Sequence, residues 1–214
     1  MIIKEVLVEN FTTIPAAVAN GATRILLADN LAGGTTTASH GVLTEGAKYL
    51  QDQGLSLTAM IKPRSGHFNY NDLELKIMER DLFTAQELGI DAVSFGALTS
   101  AKRLDIEAME MLIGAAQGME IVFNHAFDEI KPEYKQETLD WLAENDITRV
   151  LSHGGPLDSN IKKNIDQLNQ DQSLTQAVVI TPFEGIDASD AKEIAEQTKS
   201  TILTSSTLVP LPKN

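Results

Sequence analysis

The chain has no cysteine, which excludes disulfides and any thiolate metal site. It is poor in basic residues, with 17 Lys and Arg against 30 Asp and Glu and a net charge of −13. That balance excludes sequence-independent nucleic-acid binding, which needs cations facing phosphates. No stretch approaches the ~20 apolar residues of a membrane span. Lys4 and Glu5 interrupt the first apolar run and no cleavage site follows, so no signal peptide is expected and the expected compartment is the cytoplasm. No low-complexity linker divides the chain, so residues 1–214 are expected to form one domain.

What is present is ordinary for a soluble globule: 43% apolar and 22% charged residues. Within it one phrase recurs. Asn20-Gly21-Ala22-Thr23-Arg24-Ile25-Leu26-Leu27 is echoed by Leu88-Gly89-Ile90-Asp91-Ala92-Val93-Ser94-Phe95 and by Asn145-Asp146-Ile147-Thr148-Arg149-Val150-Leu151. Each copy ends a helical pattern, turns through Gly or a small polar residue, and launches a short apolar run. Gly suits the left-handed residue that closes a helix, and a short apolar run suits a strand buried on both faces. Repetition of this unit predicts a parallel sheet.

The pattern predicts strands near residues 2–8, 24–27, 56–61, 92–95, 120–123, 149–151, 176–180 and 201–204. It predicts helices near 14–20, 44–53, 72–88, 105–117, 132–144, 157–169 and 188–197. Asn71 and Glu74 mark the start of the third helix, with Leu75, Met78, Leu82 and Ala85 along one face. Asp187 is the expected cap of the last. The fold class is therefore α/β, a (β/α)8 TIM-type barrel, with a doubly wound open sheet as the alternative. Leu208-Val209-Pro210-Leu211-Pro212 cannot form a regular final helix. A partner subunit would then cover the flank of strand eight, so a homodimer is expected.

In such a barrel the working residues gather at the carboxyl ends of the strands. Glu9 and Asn10 follow the first strand, whose interior carries Glu5; the polar loop 29–37 follows the second; Lys62-Pro63-Arg64-Ser65-Gly66-His67-Phe68-Asn69-Tyr70 follows the third. Asn124-His125-Ala126-Phe127-Asp128 follows the fifth and Ser152-His153-Gly154-Gly155-Pro156 the sixth. All four histidines, His40, His67, His125 and His153, are expected in these loops, as metal ligands, proton carriers or ordinary loop polar residues. Lys62 and Arg64 flank a proline that fixes the local backbone. The pair suits an anionic ligand or a structural salt bridge with Glu5 or Asp128. A Schiff-base role for Lys62 is a further option. Pro182 and Glu184 argue against a phosphate cup after strands seven and eight.

Five segments resemble the CutC copper-homeostasis family. Residues 62–70 resemble its PRGGxFxY signature and Phe123–Asp128 its FHxAFD segment. Residues 20–25 resemble NGADRIEL, with Asp29–Ala32, Gly34 and Thr36 resembling the loop that follows. Leu151–Gly155 resemble LTSGG. The resemblance runs from about Lys4 to Ser206. It implies a cytoplasmic barrel with an irregular end, a role in copper handling, a dimer, and a mouth containing Glu5, Arg64, Asp128 and Ser152. The chain departs from the family pattern where Leu26 stands for a glutamate, Asn124 for a histidine, and Phe183-Glu184-Gly185 for a glycine-rich loop. Cu(I) prefers sulfur, which the six methionines offer in no M-x-M cluster beyond Met109 and Met111 within a helix.

Three functions follow as expectations. One is a copper or zinc site at the mouth built from His67, His125 and His153 with Asp128 or Glu5. Another is a lyase or isomerase-like enzyme on a small anionic metabolite anchored by Lys62 and Arg64, with Glu5, Asp128 or His125 moving protons. Its ligand-binding set is Lys62, Arg64, Asn124, Ser152, Gly154 and Gly155. The third is a non-catalytic barrel acting through partner proteins.

Overall fold

The structure is a computed structural model and describes residues 2–212. Its strands are β1 (Ile3–Glu9), β2 (Arg24–Ala28), β3 (Ser56–Met60), β4 (Ala92–Phe95), β5 (Glu120–Phe123), β6 (Arg149–Ser152), β7 (Val179–Pro182) and β8 (Ile202–Ser205). All pairings are parallel, in the order β7-β6-β5-β4-β3-β2-β1-β8. A parallel bridge from Phe183 to Thr204 nearly closes the ring. The sheet is thus a TIM-type barrel and not an open sheet.

The recurrent phrase closes its helices in one way. In α1 (Ile14–Ala19), α3 (Asp72–Glu87) and α5 (Pro132–Glu144), the turn residue Gly21, Gly89 or Asp146 has positive φ of 93°, 66° or 59°. The next amide then reaches back five residues, Ala22 to Ala17, Ile90 to Ala85 and Ile147 to Leu142, at 2.9–3.0 Å. This is the Schellman closure, and it aims the chain directly into the next strand. Gly54 ends α2 (His40–Gln53) the same way.

Strand alternation sorts side chains into two cores. One face packs under the helices; the other fills the barrel with Leu7, Leu26, Ala28, Met60, Val122, Leu151 and Phe183. One layer nearer the strands' N-terminal ends lies a charged floor. There Glu5 accepts two bonds from Arg149, at 2.9 and 3.1 Å, and one each from Thr58 and Thr204. Arg24 pairs with Glu120 beside them.

Several boundaries differ from expectation. Helix α2 starts at His40, not 44, because Ser39 Oγ caps it by accepting from Val42 N. His40 is therefore a helical, exposed residue outside the mouth loops. Helix α6 (Ile165–Ser173) starts eight residues late. Ser159, Asn160 and Asn164 spend their side chains on local loop bonds, which compete with the helix. Strand β7 is shifted toward Pro182. Helix α7 (Ala191–Thr198) has Asp190 at its N-cap position with no side-chain cap; Asp187 contributes only its carbonyl. Helix α4 (Ile106–Ala115) is capped by Asp105. No regular helix follows β8 among the described residues. Leu208 and Val209 instead bury themselves against the outer core, so the chain covers that flank itself.

Candidate functional site

The loops after β2, β3, β5 and β6 enclose a cavity of about 470 Å³ at the C-terminal mouth of the barrel. Its wall carries Lys62, His67, Phe68, His125, Asp128 and Glu129, with Gly33, Gly34, Gly66 and Gly155 where backbone comes close.

Lys62 continues from β3 and is held by backbone bonds to Thr37 on the neighbouring loop. The residue is 2% exposed. Its Nζ donates to the Gly34 carbonyl at 2.8 Å and lies 4.4 Å from the centre of the Phe68 ring. Neither expected salt-bridge partner reaches it. Glu5 is committed to Arg149 in the floor, and Asp128 to the loop after β6. Glu129 pairs with Lys102. Among the described residues Lys62 is left with no carboxylate in contact. Burial pushes its pKa down to about 8, against the attraction of Glu129.

Arg64 does not reach the cavity wall. Its Nε meets Glu74 Oε1 at 2.5 Å, and its other donors serve the carbonyls of Ser65, His67 and Asn69. It folds its own loop onto the start of α3, where Glu74 also completes the Asn71 capping box. Hydrogen bonds from Arg64 and from the Asn71 amide hold the Glu74 carboxyl below its ordinary value. The anchor expected from two cations thus reduces to Lys62 alone.

Asp128 follows β5 in a 3-10 turn whose start is capped by Asn124, the Oδ1 of which accepts from Ala126 N. Gly96 makes room for Asn124, since a Cβ there would lie 2.7 Å from Oδ1. Asp128 accepts from Ser152 Oγ at 2.6 Å, His153 N at 2.8 Å and Gly154 N at 3.1 Å. Burial pushes its pKa up to about 6 in spite of these donors. Ser152 and Gly154 therefore build the mouth from behind, while Gly155 faces it. Gly154 has φ +73°, and a Cβ there would press on Asn164 and Leu168.

The three mouth histidines differ. His125 is stacked on Phe183 at 5.1 Å and meets Phe68 edge-on at 5.0 Å. Its Nδ1 is buried without a partner, and burial lowers its pKa to about 3, so the ring is neutral. His67 Nδ1 faces Arg64 at 3.2 Å. Both nitrogens of His153 face carbonyl oxygens, of Phe183 and Ser159, so neither is turned toward the cavity as a metal ligand. Among the described residues no group of three or more His, Cys, Asp or Glu side chains could hold a metal ion.

Glu5 lies in the floor and not at the mouth. Burial raises its pKa, but Arg149 and Thr204 override this and leave it below the ordinary value. Phe68 and Glu129 line the site without having been singled out from the sequence, and Phe183, marked there only as a departure from the family's glycine-rich loop, stacks on His125. The only signal for Phe68 and Glu129 was their place in loops already marked by Lys62 and Asp128.

A model of the CutC family matches residues 2–208. A CutC family protein of Enterococcus faecalis is 42% identical over 200 residues, covering 93% of this chain and 96% of the relative. One of Streptococcus pyogenes serotype M6 is 45% identical over 166 residues, covering 78% and 79%. The crystal structure of CutC from Streptococcus agalactiae, whose name assigns it to copper homeostasis, superposes with a TM-score of 0.93 at 37% identity. It covers 98% of this chain and 100% of that one.

Proposed function

The chain belongs to the CutC family, and from that premise we propose that it serves copper homeostasis in the cytoplasm by binding a small anionic molecule in the barrel mouth. One observation carries the reading: Lys62 is buried at the cavity wall with no carboxylate in contact. A buried ammonium without a counter-charge is costly. A carboxylate or phosphate entering the cavity supplies that charge through a charge-assisted hydrogen bond. The two acidic wall residues do not oppose it strongly, since Asp128 is satisfied by three donors and Glu129 by Lys102.

Thermal unfolding of the full chain with small carboxylic acids, sugar phosphates, Cu(II) and Zn(II) tests the proposal. A true ligand at a hundred times its Kd stabilises by about 2.7 kcal/mol. The expected result is stabilisation by at least one anion that Lys62→Met abolishes. Stabilisation that Lys62→Met leaves intact would overturn it, as would no response to any anion.

The metal reading draws support from His67 and His125 sharing the cavity. The donor set does not fit a closed copper cage. Met60 is the one methionine of the barrel-interior cluster among the described residues, beside Asn124, and both nitrogens of His153 face carbonyl oxygens. Leu208 and Val209 remove the uncovered flank of β8 as a reason for a dimer; the homodimer stays part of the proposal on the family resemblance alone, and sedimentation of the chain reads it directly.

A further inference from the structure

We propose that the Lys62 amine condenses with the carbonyl carbon of a small 2-oxo acid held in the mouth cavity, forming an imine. The inference rests on the reading of the mouth as an anion pocket and deepens it by naming the ligand class.

Three features of the geometry carry it. The first is the amine. A lysine that is ordinarily solvated and paired is here enclosed, tied through one N–H to the Gly34 carbonyl and set against the Phe68 ring. Its remaining valences are free of any protein carboxylate. Gly34 offers that carbonyl from a left-handed backbone, φ +88°, that L side chains rarely adopt. Desolvation brings the amine to a pKa of about 8, so a useful fraction is unprotonated and nucleophilic near neutral pH.

The second feature is His125. It lines the same cavity, and its Nδ1 is buried with no hydrogen-bond partner among the described residues. A neutral imidazole presents one donor and one acceptor. Clamped between Phe68 and Phe183, it is suited to hold the carbonyl oxygen and then the water that this oxygen becomes. The third feature is backbone. Gly66 and Gly155 line the cavity, and their amides have no partner among the described residues, which leaves donors for the acid's carboxylate.

The step balances. The unprotonated Nζ attacks the carbonyl carbon, the C–N bond forms, and the C=O pair moves to oxygen, which takes a proton. The carbinolamine then loses that oxygen as water and becomes a protonated imine. In total, ammonium and carbonyl give iminium and one water, with the positive charge conserved. That conservation favours a 2-oxo acid over a neutral aldehyde: the iminium stays beside the carboxylate and keeps the buried charge paired.

The test uses the full chain with pyruvate, sodium borohydride as reductant, and peptide mass spectrometry. L-lactate, which has the carboxylate but no carbonyl, is the control in parallel thermal unfolding. The expected result is a reduced pyruvate adduct on Lys62 at least about tenfold above that on the exposed Lys192, dependent on borohydride and absent from Lys62→Arg. Stabilisation by pyruvate and lactate without a Lys62 adduct would overturn the imine and leave the anion pocket standing. No stabilisation by either acid and no adduct would overturn the imine, and the anion pocket falls with it if sugar phosphates and the other carboxylic acids also give no shift. The adduct is mapped on the unmodified sequence, so a variant that fails to fold does not remove the test.

Discussion

Two buried groups at the mouth pull stability in opposite directions in acid. His125 has its pKa lowered to about 3 in the folded chain, so the unfolded chain binds the extra proton between the ordinary histidine value and 3. Stability from His125 is therefore present above about 6.5 and is lost as pH falls through that window. Asp128 is raised to about 6, so the folded chain holds its proton longer. Its contribution is present below the ordinary carboxyl value and is lost as pH rises toward 6. Each slope approaches ~1.4 kcal/mol per pH unit where its group titrates. Urea unfolding from pH 4 to 6 separates them. The stability of His125→Phe relative to the parent should fall with rising pH, and that of Asp128→Asn should rise; parallel curves would refute both assignments. At pH 7 Asp128→Asn should also cost about 2 kcal/mol, because an amide cannot accept from all three donors on the loop after β6. At this scale the sequence was only partly legible. Lys62 and Asp128 stood out as charges at strand ends. The partner of Arg64 did not, because Glu74 sits ten residues on and had already been read as half of a helix cap.

Elements were more legible than residues, since a helix end is written in neighbouring residues while a site is assembled from distant ones. Gly21, Gly89 and Asp146 marked three helix closures correctly, and Asn71 with Glu74 marked the start of α3. The start of α6 was missed because Ser159, Asn160 and Asn164 engage their own loop, a choice that apolar periodicity does not reveal. The shared use of Glu74 makes a separable prediction. Asn71→Ala removes the cap alone and should cost about 1 kcal/mol of stability with little change in anion affinity. Glu74→Ala also frees Arg64, which pins the loop carrying Lys62 and Phe68 to the cavity. It should cost about 2 kcal/mol and weaken the anion-dependent thermal shift as well. Equal thermal shifts in the two variants would show that the loop holds its shape without Arg64.

For the whole molecule, the barrel is built by one unit repeated, so its architecture followed from periodicity, while its interior polarity did not. Alternation places Glu5, Arg24, Thr58, Glu120 and Arg149 inside the floor, yet Glu5 by sequence alone looked like a mouth carboxylate. The floor and the mouth are separated by the apolar layer of Leu7, Leu26, Met60 and Leu151, so stability and ligand binding should be perturbed independently. Buried pairs are weak sources of net stability but costly to break from one side. Glu5→Gln leaves the Arg149 guanidinium only its 3.5 Å contact to the exposed Glu120 and should cost about 3 kcal/mol. Combining Glu5→Leu with Arg149→Met removes the pair together; Glu120 keeps Arg24, and the double variant should be more stable than Glu5→Gln. In the double variant the response to the anion should persist, because Lys62 is untouched. If that response vanished while the barrel remained folded, floor and mouth would be coupled through the apolar layer, and the assignment of binding to the mouth residues alone would fail.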